Sequence, residues 1–101
     1  LLTCRADKMP VGKGHNDAQE FTYNEINLRS GVMIDTFTDG YADQFGGTKG
    51  KKFKYKQLNQ LLVSISHLSM NEQKQKLDSV FEDWKGDLEQ TDDVCVIGIK
   101  I

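Results

Sequence analysis

The residues richest in chemistry lie in "DTFTDGYADQFGG", residues 35–47, and in the pair Asp92–Asp93. Asp35, Asp39 and Asp43 recur at every fourth position, and Gly40 follows Asp39 directly. Glycine-flanked acids make turns, metal sites, or both. An EF-hand loop starting at Asp35 would place Asp39 and Gly40 correctly. Its other ligand positions would fall on Phe37 and Gly46, which offer calcium no side-chain oxygen. A phosphate-binding P-loop fails too, because "GGTKGKK" has the wrong glycine spacing and no hydroxyl after the lysine.

What remains is a carboxylate at the end of an apolar strand, in front of a glycine turn. A sheet fixes such an acid and leaves it exposed at the edge, which suits a hard cation such as Mg²⁺ or Mn²⁺. If the last strand pairs antiparallel with "VMIDTFT", residues 32–38, its start lies beside the end of the other. Asp39 and Asp92 then converge. Adjacent carboxylates repel, and a divalent cation relieves that repulsion. Spacing alone leaves this open beside the plainer reading, an Asp-Gly turn and a solvated acidic cap.

Other reactive types point nowhere specific. His15 and His67 have no partner at zinc-site spacing, and no nucleophile–base pair is legible. Cys4 and Cys95 lack CxxC spacing and read as buried free thiols of a reducing compartment, with a Cys4–Cys95 bridge as the alternative. The lysines of "KGKKFKYK", residues 49–56, read as a solvated loop and strand edge, or as a contact for phosphate. A net charge of −2 gives no bulk attraction to nucleic acid or membrane. No apolar run nears the roughly 20 residues of a membrane span, so neither is an expected partner of this segment.

The elements that must position these groups follow from periodicity. A length of 101 residues suits one domain with a modest core. Residues 1–5 read as the end of a strand and "DKMPVGKGHND", residues 7–17, as loop. "EFTYNEINL", residues 20–28, reads as a bent strand forming a hairpin with residues 32–38 through the turn "RSG". Residues 39–55 carry loop chemistry. Leu58, Leu61, Leu62 and Ile65 fall on one helical face, which Leu68 extends. Ser69 and Glu72 form a capping-box signature for a second helix. Leu77, Val80, Phe81 and Trp84 repeat the helical spacing, and Gly86 marks the stop. "DVCVIGIKI" is apolar on both faces and reads as a central strand. The order β, β, β, α, α, β is an α+β pattern, antiparallel strands with a two-helix pair on one face.

"FTDGYADQFGG", "KGKKF", "EDWKG" and "QTDDVCVIGIKI", in this order, resemble the C-terminal half of a SpoIIE-type, PP2C-like serine/threonine phosphatase domain. "ADKMPVG" and "FTYNEINL" are similar to that family as well, so the likeness spans nearly the whole chain. It implies part of a PP2C-like α-β-β-α sandwich. It also implies two ions, Mn²⁺ or Mg²⁺, that activate a water for attack on phosphoserine or phosphothreonine. The family's Asp-Gly acid matches Asp39, with Gly40 as its turn residue. Its late acid matches Asp92, with Asp93 in the more variable second place. Asp43 matches a position that helps hold a further, weaker ion in some relatives. The pattern departs at Val32 and Asp35, where relatives carry a Gly-Asp and a later aromatic or apolar residue.

The resemblance further implies that residues 1–101 are the C-terminal portion of one such domain, with the N-terminal half and its bridging ligands absent. Such a fragment is expected to hold metal weakly or not at all and to be inactive alone. Uncovered sheet edges favour a homo-oligomer or strand-swapped dimer. The expected substrate is a phosphorylated bacterial regulatory protein, for example an anti-sigma-factor antagonist. The expected location is the cytoplasm, including the cytoplasmic part of a larger sensor. The alternative is a degenerate phosphatase-like domain that binds protein without catalysis.

Overall fold

The computed structural model describes Tyr23 and residues 25–101. The strand and loop expected over residues 1–17, the first residues of the bent strand, Cys4 and His15 lie outside the described residues. The elements run β1 (Met33–Phe37), α1 (Gly40–Asp43), β2 (Phe45–Gly46), β3 (Lys51–Lys52), α2 (Tyr55–Ile65), α3 (Met70–Lys85) and β4 (Val96–Lys100).

The expected antiparallel ladder forms between β1 and β4, with Ile34 opposite Ile99, Asp35 opposite Gly98 and Phe37 opposite Val96. Backbone bonds extend it at both ends. Thr38 N–H donates to the Cys95 carbonyl at 3.0 Å, and Ile101 N–H donates to the Val32 carbonyl at 2.9 Å. Alternation gives the ladder two faces. Phe37 and Val96 turn toward the core, where they pack against the cluster of Tyr41, Ala42, Phe53, Leu58, Leu62 and Phe81.

The opposite face corrects two expectations. Ile97 and Ile99 are 54% and 51% exposed, so β4 is not covered on both faces, and among the described residues it pairs with β1 alone and is not a central strand. Cys95 precedes Ile97 at the same period and is likewise exposed rather than buried, with a free thiol. A third correction concerns the hairpin. The turn at Ser30–Gly31 is present, with Gly31 at φ +90. Glu25–Leu28, however, is exposed and adopts no strand. The Gly31 N–H donates to the Ile101 carbonyl at 2.8 Å, just past the end of β4.

The helices follow their sequence signals closely. Leu58, Leu62 and Ile65 are the buried face of α2. Complete burial of Leu58 contributes about 1.5–3 kcal/mol in hydrophobic transfer. Leu68 does not extend α2, which ends at Ile65; it closes a turn by donating its N–H to the Ile65 carbonyl at 3.0 Å. Ser69 caps α3, its hydroxyl accepting the Glu72 N–H at 3.2 Å, and Gly86 ends the helix at φ +56. The fold is α+β. No helix among the described residues is long and apolar enough to cross a membrane.

Residues 39–55 are not simply loop. Tyr41 and Ala42 of the short α1 are buried, and β2 and β3 make a small antiparallel hairpin. Trp84 explains the glycines there. A Cβ at Gly46 would lie 1.8 Å from the Trp84 carbonyl oxygen, so only glycine lets the hairpin rest on α3.

Candidate metal centre

Asp39 stands where β1 gives way to α1, at the N-cap position of that short helix. Gly40, the next residue, sits against the far end of the ladder. A Cβ there would lie 2.2 Å from the Asp93 carbonyl oxygen and 3.1 Å from a methyl of Val94. The Asp39 turn and the Asp92–Asp93 turn are therefore in backbone contact, as the antiparallel register requires. Thr38 bolts the two together. Its hydroxyl donates to the Asp93 carbonyl at 3.0 Å and accepts the Cys95 N–H at 3.0 Å.

A second anchor holds the segment that leads into Asp92. Gln44, fully buried at the end of α1, donates from Nε2 to the Glu89 carbonyl at 2.8 Å. Its Oε1 accepts the Thr91 N–H at 3.0 Å. Its backbone carbonyl accepts the Trp84 indole N–H at 2.9 Å. One four-residue helix thus touches both acidic turns, through Gly40 at its start and Gln44 just past its end.

The carboxylates differ in their surroundings. Asp39 is exposed and accepts the phenol O–H of Tyr55 on Oδ1. That hydrogen bond pushes the Tyr55 phenol up to about 12, with burial and the charges of Asp39 and Asp43 adding to the effect. Asp43 is half-buried and pairs with Lys52 Nζ at 3.7 Å. Asp92 is exposed, and its Oδ1 accepts the N–H of the next residue, Asp93, at 2.8 Å. Asp93 contributes its backbone carbonyl to Gly40 and Thr38.

Asp35, the departure from the family pattern, lies on the core-facing side of β1. It lines a groove under α3 with Met70, Gln73, Leu77 and Gly98. Burial raises its pKa above the usual carboxylate value. Gly98 opposite makes room for it, since a Cβ there would lie 3.0 Å from Asp35 Oδ1.

Two exposed carboxylates at one ladder end match the chemistry of a hard divalent cation. They fall short in number: among the described residues no group of three or more His, Cys, Asp or Glu could hold a metal ion. Mg²⁺ and Mn²⁺ are commonly held by one or two protein carboxylates together with water, so the pair suits part of such a site.

The family model of stage II sporulation protein E matches residues 3–101. The chain belongs to the SpoIIE family. Its fold is similar to that of the SiaA-PP2C domain of Pseudomonas aeruginosa, with a TM-score of 0.77 at 23% identity. That likeness covers 83% of this chain and 34% of the SiaA-PP2C chain, so the SpoIIE chain described here spans about a third of the domain it resembles. No curated protein matches it. Of the residues that hold the two acidic turns in place, Thr38, Gln44 and Tyr55 carry no sequence signal. Their partners lie 16 to 57 positions away and are ordinary polar groups.

Proposed function

We propose that the chain is the C-terminal portion of a metal-dependent protein serine/threonine phosphatase domain, with Asp39 and Asp92 as two of its metal ligands. Family membership and the PP2C-like fold support the reaction class. The observation that carries the site assignment is the contact of Gly40 with the Asp93 carbonyl, which brings the two acidic turns to one end of the β1–β4 ladder. Bound Mn²⁺ or Mg²⁺ would neutralise phosphoryl charge and lower the pKa of water toward neutrality. The chain's own residues hold two carboxylates at fixed positions, through Thr38 and Gln44, on a turn open to solvent. Asp43 and Asp93 are secondary candidates, Asp43 through its side chain one turn on from Asp39.

The substrate class this reading favours is a phosphorylated regulatory protein, acted on in the cytoplasm. A second reading, a degenerate domain that binds protein without catalysis, draws on the short donor set among the described residues. The two separate in the full-length protein. The phosphatase reading expects hydrolysis of p-nitrophenyl phosphate that requires Mn²⁺ or Mg²⁺ and stops on chelation. No hydrolysis under any divalent cation would favour the binding module. The 101-residue chain by itself is expected to show no turnover.

A further inference from the structure

We propose that Tyr55 is a positioning residue for Asp39, its phenol fixing one carboxylate oxygen so that the turn presents a full negative charge in a defined orientation to a divalent cation. The inference rests on the reading of Asp39 as a metal ligand. It is carried by how Tyr55 is delivered to that position and by the kind of donor that meets Asp39 among the described residues.

Tyr55 is the first residue of α2, and its O–H donates to Asp39 Oδ1. Its ring lies beside that of Phe37, centroids 6.1 Å apart, and Phe37 ends the strand that leads to Asp39. Ring and hydroxyl therefore engage the same strand end. The residue before it, Lys54, adopts φ +76, the only positive φ at a non-glycine residue among those described. Such a conformation is costly for a residue with a side chain and persists only where the surroundings enforce it. Here the Lys54 N–H donates to the Ala42 carbonyl at 2.7 Å, and its carbonyl accepts the Leu58 N–H at 3.2 Å. The strained residue thus ties the start of α2 to α1 and swings Tyr55 onto the turn that α1 begins.

The nature of the donor matters. Among the described residues the ion pairs are Lys52 with Asp43 and Lys85 with Glu82; no lysine or arginine pairs with Asp39, although five lysines lie within residues 49–56. A cation there would orient the carboxylate but compete with a metal for its charge. A neutral phenol orients it and leaves the charge available. Partners of this kind set the affinity of metal-ligating carboxylates.

The test is Mn²⁺ affinity in the full-length protein, read from the EPR signal of free Mn²⁺, for wild type, Tyr55→Phe, Asp39→Asn and the double variant. Phenylalanine keeps the ring and its packing against Phe37 and removes only the hydroxyl. The expected result is an affinity loss of about tenfold for Tyr55→Phe at an unchanged melting temperature. In the Asp39→Asn background the same change should have no further effect. Loss of affinity in Asp39→Asn with none in Tyr55→Phe would overturn the inference and leave the ligand assignment standing. Undiminished affinity in Asp39→Asn would overturn the ligand assignment and the inference with it. A Tyr55→Phe effect of equal size in both backgrounds would show that the hydroxyl acts elsewhere and would also overturn it.

Discussion

A Cβ placed on Gly40 would come within 2.2 Å of the backbone oxygen of Asp93. That oxygen has little room to yield, because it accepts the Thr38 hydroxyl. Gly40→Ala should therefore push the Asp39 turn off the Asp92–Asp93 turn. Overpacking against a backbone atom costs about 1–3 kcal/mol, which urea denaturation of the purified chain would register. Metal affinity should fall with it in the full-length protein, since the two acids separate.

Gln44 gives a second route to the same end. Gln44→Leu keeps the volume and removes the three side-chain amide bonds, leaving the Thr91 N–H and the Glu89 and Phe45 carbonyls without that partner. The expected cost is about 1–3 kcal/mol. Amide exchange at Thr91 should accelerate by more than at the core of α2. Equal acceleration everywhere would mean that Gln44 stabilises the whole domain and does not anchor the Asp92 segment in particular.

Much of this frame is legible in the sequence, for reasons visible in single residues. Leu58, Leu62 and Ile65 repeat at helical spacing because one face of α2 must be buried, and Ser69 with Glu72 announces α3 because a cap is a local hydrogen bond. Asp39 and Asp92 are legible through the ladder, since antiparallel register joins the end of one strand to the start of another. α1 and the β2–β3 hairpin are not. Their residues have turn chemistry, and what folds them is tertiary: the burial of Tyr41 and the contact of Gly46 with Trp84. The mistaken hairpin has the same cause. Residues 20–28 have the composition of a strand, but Glu25–Leu28 are exposed and the ladder partner of β1 among the described residues is the sequence-distant β4.

Asp35 should make stability depend on pH in an unusual direction. Burial raises its folded-state pKa above the value of about 3.9 expected in the unfolded chain. The folded state then binds the proton more tightly, so this group's penalty is absent below the unfolded pKa and fully present above the folded one. Its contribution falls as pH rises through that window. Asp35→Asn should be more stable than wild type at pH 7, with the gain shrinking toward pH 4. Denaturation curves at both values check this. Lys74, Asp78 and Glu82 line the same groove and are common to both proteins.

The outward face of the ladder should drive self-association of the 101-residue chain. Ile97 and Ile99 of β4 and Ile101 just past it are exposed, and Ile34 lies opposite Ile99 on the same face. Contiguous β-branched surface of this kind is a docking or aggregation surface unless covered. Sedimentation at high micromolar concentration should show a dimer or larger species. The double change Ile97→Lys and Ile99→Glu should return it to monomer. A wild-type monomer under those conditions would contradict the expectation.

The most direct test of the central claim is the steady-state hydrolysis of p-nitrophenyl phosphate by the full-length protein carrying Asp39→Asn, measured across a Mn²⁺ titration. Loss of a metal-ligating carboxylate predicts a rate lower by about a hundredfold or more at Mn²⁺ concentrations that saturate the wild type. Activity and Mn²⁺ dependence equal to wild type would contradict the assignment of Asp39 as a metal ligand.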